Sequence, residues 1–61
     1  MSEKQKTLLL VEDEVIIAVM ETEQLKRYGY NVVSASSGEK AIELFKKNDA
    51  IDLILMDINL G

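Results

Sequence analysis

No cysteine and no histidine occur among the 61 residues of this chain. Disulfide staples and the usual zinc sites, with which small domains often support themselves, are therefore excluded. A chain of this length buries only ~60% of its unfolded surface, so its core is expected to be thin. Basic residues are also short: seven Lys and Arg against eleven Asp and Glu leave a net charge of −4. That balance argues against nucleic acid and against an anionic membrane surface, and it suits a divalent cation. Long apolar runs are missing, none approaching the ~20 residues needed to span a bilayer. The polar lead "MSEKQK" has no signal-peptide core. These features predict a cytoplasmic chain that meets neither nucleic acid nor membrane through this segment, and the lack of cysteine fits a reducing compartment.

What is present is apolar in short blocks. A hydrophobic fraction of 48% beside 30% charged residues sets aside compositional disorder. "TLLLV", at 7–11, is continuously apolar, the pattern of a strand buried on both faces, and Glu12, Asp13 and Glu14 follow at once. From 14 to 28 there is neither glycine nor proline, with acids near the start, Lys26 and Arg27 near the end and Gly29 just beyond. This predicts a helix over 14–28 that a left-handed glycine stops. Its first half, "VIIAVM", is apolar on more sides than a surface helix ordinarily buries, so a cover over part of it is expected.

"YNVVSA" predicts a second strand at 30–35. "SSGEKAIELFKKN" predicts a helix over 37–48, with Ser36 at capping-box spacing before Glu39 and with Ala41, Ile42, Leu44 and Phe45 near one face. "IDLILMD" predicts a third strand at 51–57. The order βαβαβ, without repeat or linker, implies an α/β fold with a parallel sheet and right-handed crossovers. Open sheets of this kind are covered on both faces and carry about five strands, so half of a domain is expected. With strand order 2-1-3 the third strand is a bare apolar edge, and self-association as a homodimer, through that edge or the first helix, is expected.

Open α/β sheets bind ligands beyond the carboxyl ends of their strands, where the winding direction reverses. Glu12 and Asp13 follow the first strand there, and Asp57 ends the third. Neighbouring strands lie about 4.8 Å apart, so three carboxylates would share one shallow pocket. Such a cluster is costly without a cation, and Mg²⁺ suits it, preferring oxygen ligands and keeping several waters. Asp57 is then placed to act as a nucleophile toward phosphorus, since carboxylates form acyl phosphates and are already ionised at pH 7.

"LLLVEDE", "YGYNVVSASSGEKAIELFKK" and "DLILMDINLG", taken together, resemble the first half of a two-component response-regulator receiver domain, over essentially 6–61. The resemblance implies half of a flavodoxin-like, doubly wound parallel sheet. It makes Asp57 the phospho-acceptor, Asp13 a Mg²⁺ ligand, Glu12 an acid acting on the metal mainly through water, and the backbone carbonyl of Asn59 a further ligand. A histidine kinase or a histidine phosphotransfer protein would be the donor. It implies a phospho-acceptor rather than an enzyme, with at most weak self-phosphorylation from small donors. Many receivers have Asp at the position of Glu12 and Pro at that of Gly61. The family's hydroxyl residue after the fourth strand, lysine after the fifth and aromatic switch residue have no counterpart in these 61 residues. A recognisable but impaired site is the resulting expectation, unless another chain completes it.

Plainer readings stand beside these. Glu12 and Asp13 could be acids that a helix N-terminus favours, Asp57 a turn-former, and Asn59 and Gly61 turn residues. Glu14 is most simply a solvated first-turn acid, while Met20 and Met56 fill core. A pure interaction piece, self-associating without chemistry, competes with the phospho-acceptor reading. An aspartate-nucleophile phosphohydrolase needs a second Asp where Asn59 stands. "EDE" after the first strand excludes a glycine-rich dinucleotide site.

Overall fold

The computed structural model describes residues 5–57. The chain runs β1 (Thr7–Val11), α1 (Val15–Arg27), β2 (Asn31–Ala35), α2 (Gly38–Lys47) and β3 (Ile51–Met56). All pairings are parallel and the sheet order is β2-β1-β3, the 2-1-3 arrangement of an open α/β sheet. Central position explains the burial of β1: every residue from Thr7 to Val11 is buried, and Leu9, Leu10 and Val11 fully so.

The faces of β1 separate the two helices. Leu9 and Val11 join Ala35 and Ala41 in the core beneath α2, with Val33, Leu44 and Ile51 against them. Residues of the alternate parity, Leu8, Leu10 and then Glu12, turn to the α1 side, because successive strand side chains point to opposite faces. On α1 the half-buried residues are Ala18, Glu21, Thr22 and Leu25. Their i, i+3, i+4, i+7 spacing is that of one helical stripe. Val15, Ile16, Val19 and Met20 are exposed, at 57% or more of their surface, so among the described residues the expected cover over "VIIAVM" is not provided.

Each helix is one residue shorter at both ends than the pattern predicts, because the flanking residues act as caps. Glu14 is the N-cap of α1, with extended backbone and no side-chain capping bond, so the acids precede the first turn instead of lying in it. At the other end Gly29 adopts φ +97°, and its N–H donates to the Lys26 carbonyl while that of Tyr30 donates to Leu25. That pair of bonds closes the helix as a Schellman motif. In α2 the cap is Ser37, not Ser36: the Ser37 hydroxyl accepts from the Lys40 amide at 3.2 Å, so the Ser36–Glu39 box does not form. Asn48 ends α2 with extended backbone. Of the expected α2 face, Ala41 is buried and Leu44 half-buried, while Ile42 and Phe45 rim an open apolar groove with Ile54 and Met56.

β3 carries an irregularity that sets its parity. Thr7 pairs with Ile51 but Leu8 with Leu53, leaving Asp52 as an extra residue. The Asp52 carboxylate accepts the Thr7 amide at 2.8 Å, which satisfies the start of β1. This bulge puts Ile51 and Ile54, three residues apart, on the same face. It also sends Ile54 and Met56 to the α2 side and Asp57 to the α1 side. Tyr30 and Asp57 lie just outside the strands, in place of the expected spans 30–35 and 51–57.

Candidate functional site

The parity of the two strands decides which acids meet. Val11 stands beside Met56 in the parallel register, so the next residues, Glu12 and Asp57, are neighbours at the carboxyl ends of β1 and β3. Their backbones are fixed by continuation of the ladder: the Asp57 N–H donates to the Val11 carbonyl at 2.8 Å, and the Glu12 N–H to the Ala35 carbonyl at 3.0 Å. This is the crevice between β1 and β3 at which the winding reverses, the position where open α/β sheets bind ligands.

Three carboxylates come together there. One oxygen each from Glu12, Glu21 and Asp57 lies within 4.8 Å of the others. Glu12 is only 4% exposed, Glu21 is half-buried and Asp57 is exposed. Asp13 lies in the bend after β1, exposed and outside this trio, and reaches it through its negative charge on Glu12. Asn59 lies outside the described residues.

The electrostatics follow from crowding acids against apolar walls. Burial raises the Glu12 carboxyl above its ordinary 4.5, the Glu14 backbone amide pulls it down, and the charges of Asp57, Asp13 and Glu14 push it up again. Glu21 is raised to about 7, first by its hydrogen bond to Asp57, then by burial and by the charges of Asp57 and Glu12. Two of the trio's residues each carry an oxygen, Oε1 of Glu12 and Oε1 of Glu21, that is shielded from solvent and has no hydrogen-bond partner. Unpaired buried acceptors are expensive, and a set made only of carboxylate oxygens suits a hard cation such as Mg²⁺ over a soft one. The residues present therefore fit that ion.

Glu21 escaped the reading of the sequence. On a linear scan "METEQ" belongs to the polar side of a helix, and only the spacing of Ala18, Thr22 and Leu25 around Glu21 marks it as facing the sheet. A helix neighbour's reach over the strand ends is a tertiary fact that the spacing alone does not state.

Among the described residues no helix is long and apolar enough to cross a membrane. No solved structure matches the chain. The family model of the response regulator receiver domain matches residues 8–61. Among curated proteins, the chain is similar to the autoinducer 1 sensor kinase/phosphatase LuxN of Vibrio campbellii, 39% identical over 54 residues, covering 88% of this chain and 6% of that protein. It is 41% identical over 54 residues to a cyclic di-GMP phosphodiesterase of Thermotoga maritima, covering 88% of this chain and 14% of that protein. It is 39% identical over 51 residues to the transcriptional regulatory protein CpxR of Escherichia coli, covering 84% of this chain and 21% of that one. The chain thus spans at most about a fifth of the length of these relatives, whose names differ widely while the matched segment is shared. With its β2-β1-β3 sheet and the acids at the ends of β1 and β3, the chain belongs to the response regulator receiver domain family of two-component signalling.

Proposed function

We propose that Asp57 accepts a phosphoryl group from a histidine kinase or a histidine phosphotransfer protein, with Mg²⁺ held by Glu12, Asp13, Asp57 and the backbone carbonyl of Asn59. The observation that carries this reading is the pairing of Glu12 with Asp57 across adjacent parallel strand ends, in a crevice lined by carboxylate oxygens. An Asp57 oxygen attacks phosphorus, a new P–O bond forms, and the P–N bond to the donor imidazole breaks with its electron pair returning to nitrogen. β3 holds the nucleophile in line by fixing the Asp57 amide on β1. When bound, Mg²⁺ supplies positive charge against the transferring phosphoryl oxygens. Glu12, buried and unpaired at Oε1, contributes a fixed negative site for the cation. The reading takes the domain as cytoplasmic and as meeting proteins, and the net charge of −4 favours such partners over nucleic acid or an anionic membrane.

The test is incubation of the full chain with phosphoramidate and MgCl₂, followed by mass spectrometry. A single hydroxylamine-labile phosphoryl adduct on the wild type, absent from Asp57→Asn, is expected. An adduct that persists in Asp57→Asn overturns the assignment of the acceptor.

A further inference from the structure

We propose that Glu21, carried by α1, is a further carboxylate of the divalent-cation site at the ends of β1 and β3. The inference rests on the reading that Mg²⁺ occupies this crevice and adds a helix residue to a set otherwise drawn from strand ends and the loops after them. Three observations carry it. Glu21 sits within the stripe Ala18, Glu21, Thr22 and Leu25 that faces the sheet, where a carboxylate loses water and gains no apolar contact. Its Oε1 is shielded from solvent and without a hydrogen-bond partner. One of its oxygens lies within 4.8 Å of oxygens from both Glu12 and Asp57.

The second, independent pointer to a ligand comes from β1. Glu12 is 4% exposed, its Oε1 has no partner, and it belongs to the same trio. Two unpaired buried acceptors in one carboxylate trio, one on a strand-end residue and one on a helix residue, leave an unfilled demand for positive charge there. A hard cation meets that demand with all three carboxylates, directly or through its retained waters. The alternative, a carboxyl pair between Glu21 and Asp57 with no role for Glu21 toward the ion, is separable by binding measurements.

Isothermal titration of the full chain with MgCl₂ compares the wild type with Glu21→Gln, and with Glu43→Gln as a control that removes the same charge from the exposed side of α2. Loss of about tenfold or more in affinity is expected for Glu21→Gln, of the size seen when a group supporting a metal is removed, with Glu43→Gln within about twofold of wild type. Circular dichroism confirms that the variants keep their helices. A second measurement needs no variant: Mn²⁺ added to the wild type should broaden the side-chain carboxyl resonances of Glu21, Glu12 and Asp57 and spare that of Glu43. Wild-type affinity in Glu21→Gln, or a Glu21 resonance untouched by Mn²⁺, overturns the proposal. If Asp57 is still phosphorylated in a Mg²⁺-dependent way in that case, only the role of Glu21 falls. If the wild type binds no Mg²⁺, the cation reading falls with it.

Discussion

Glu21 occupies a position that its neighbours would give to an apolar residue, between Ala18 and Leu25 on the sheet-facing side of α1. The consequence is measurable as pH dependence. In the unfolded chain Glu12 and Glu21 titrate near 4.5, whereas in the fold burial and the charges of Asp57, Asp13 and Glu14 raise Glu12, and the hydrogen bond to Asp57, burial and the charges of Asp57 and Glu12 take Glu21 to about 7. Between about 4.5 and about 7 the native state therefore holds more protons than the unfolded one, so stability falls as pH rises through that window and is fully present below it. In chelator, the thermal midpoint by circular dichroism should drop across this range. Glu21→Gln should flatten the drop, and MgCl₂ should oppose it by binding the native state alone. A midpoint that climbs from pH 4.5 to 7 contradicts the assignment. Glu21→Leu, completing the apolar stripe, should stabilise the metal-free chain by about 1 kcal/mol, read from denaturant midpoints, since apolar contact replaces a poorly solvated carboxylate.

At the scale of elements, the helices and strands were legible because their periods are: "TLLLV" and "IDLILM" are short apolar blocks, and the 14–28 pattern ends in Gly29. Two details were not. The serine pair before α2 offers two caps, and spacing to Glu39 favours Ser36, but α2 begins at Gly38, so Ser37 is the flanking residue, with extended backbone, φ −156° and ψ 165°, and a hydroxyl that accepts the Lys40 amide. Ser37→Ala should therefore cost about 1 kcal/mol, the usual worth of an N-cap side chain, while Ser36→Ala should change stability by less than about 0.5 kcal/mol. Urea titrations of both variants decide it, and equal losses would mean that the caps interchange. The second hidden detail is the bulge at Asp52. A strand read as strictly alternating from Ile51 would place Ile51 and Ile54 on opposite faces, whereas the extra residue puts them on one. Asp57 reaches the α1 side because the register after that bulge pairs Met56 with Val11.

For the molecule as a whole, the 2-1-3 order could be anticipated from alternation and handedness, and with it the meeting of Glu12 and Asp57 at one sheet end. The third acid of the cluster could not, because it depends on how far along α1 the helix crosses the strand ends. Both helices pack chiefly over β1 and β2. β3 is left as an edge with Leu53, Ile54, Leu55 and Met56 exposed, and α1 leaves Val15, Ile16, Val19 and Met20 exposed, Val15 and Val19 on its side toward β2. Alternate residues of β3 point to the two sides of the sheet, so both of its faces are apolar and uncovered among the described residues. An edge of that kind is a template for another strand, and exposed apolar surface on this scale favours association over a solitary thin core. The 61-residue chain should accordingly sediment as a concentration-dependent dimer or larger species at micromolar loading. Leu53→Lys combined with Leu55→Lys, which charges the α1 side of the edge while sparing Ile54, Met56 and the core under α2, should shift it toward monomer. A compact wild-type monomer that unfolds cooperatively at those concentrations would refute the association, and it would also mean that β1 alone, flanked on both sides, supplies enough buried surface to hold the site together.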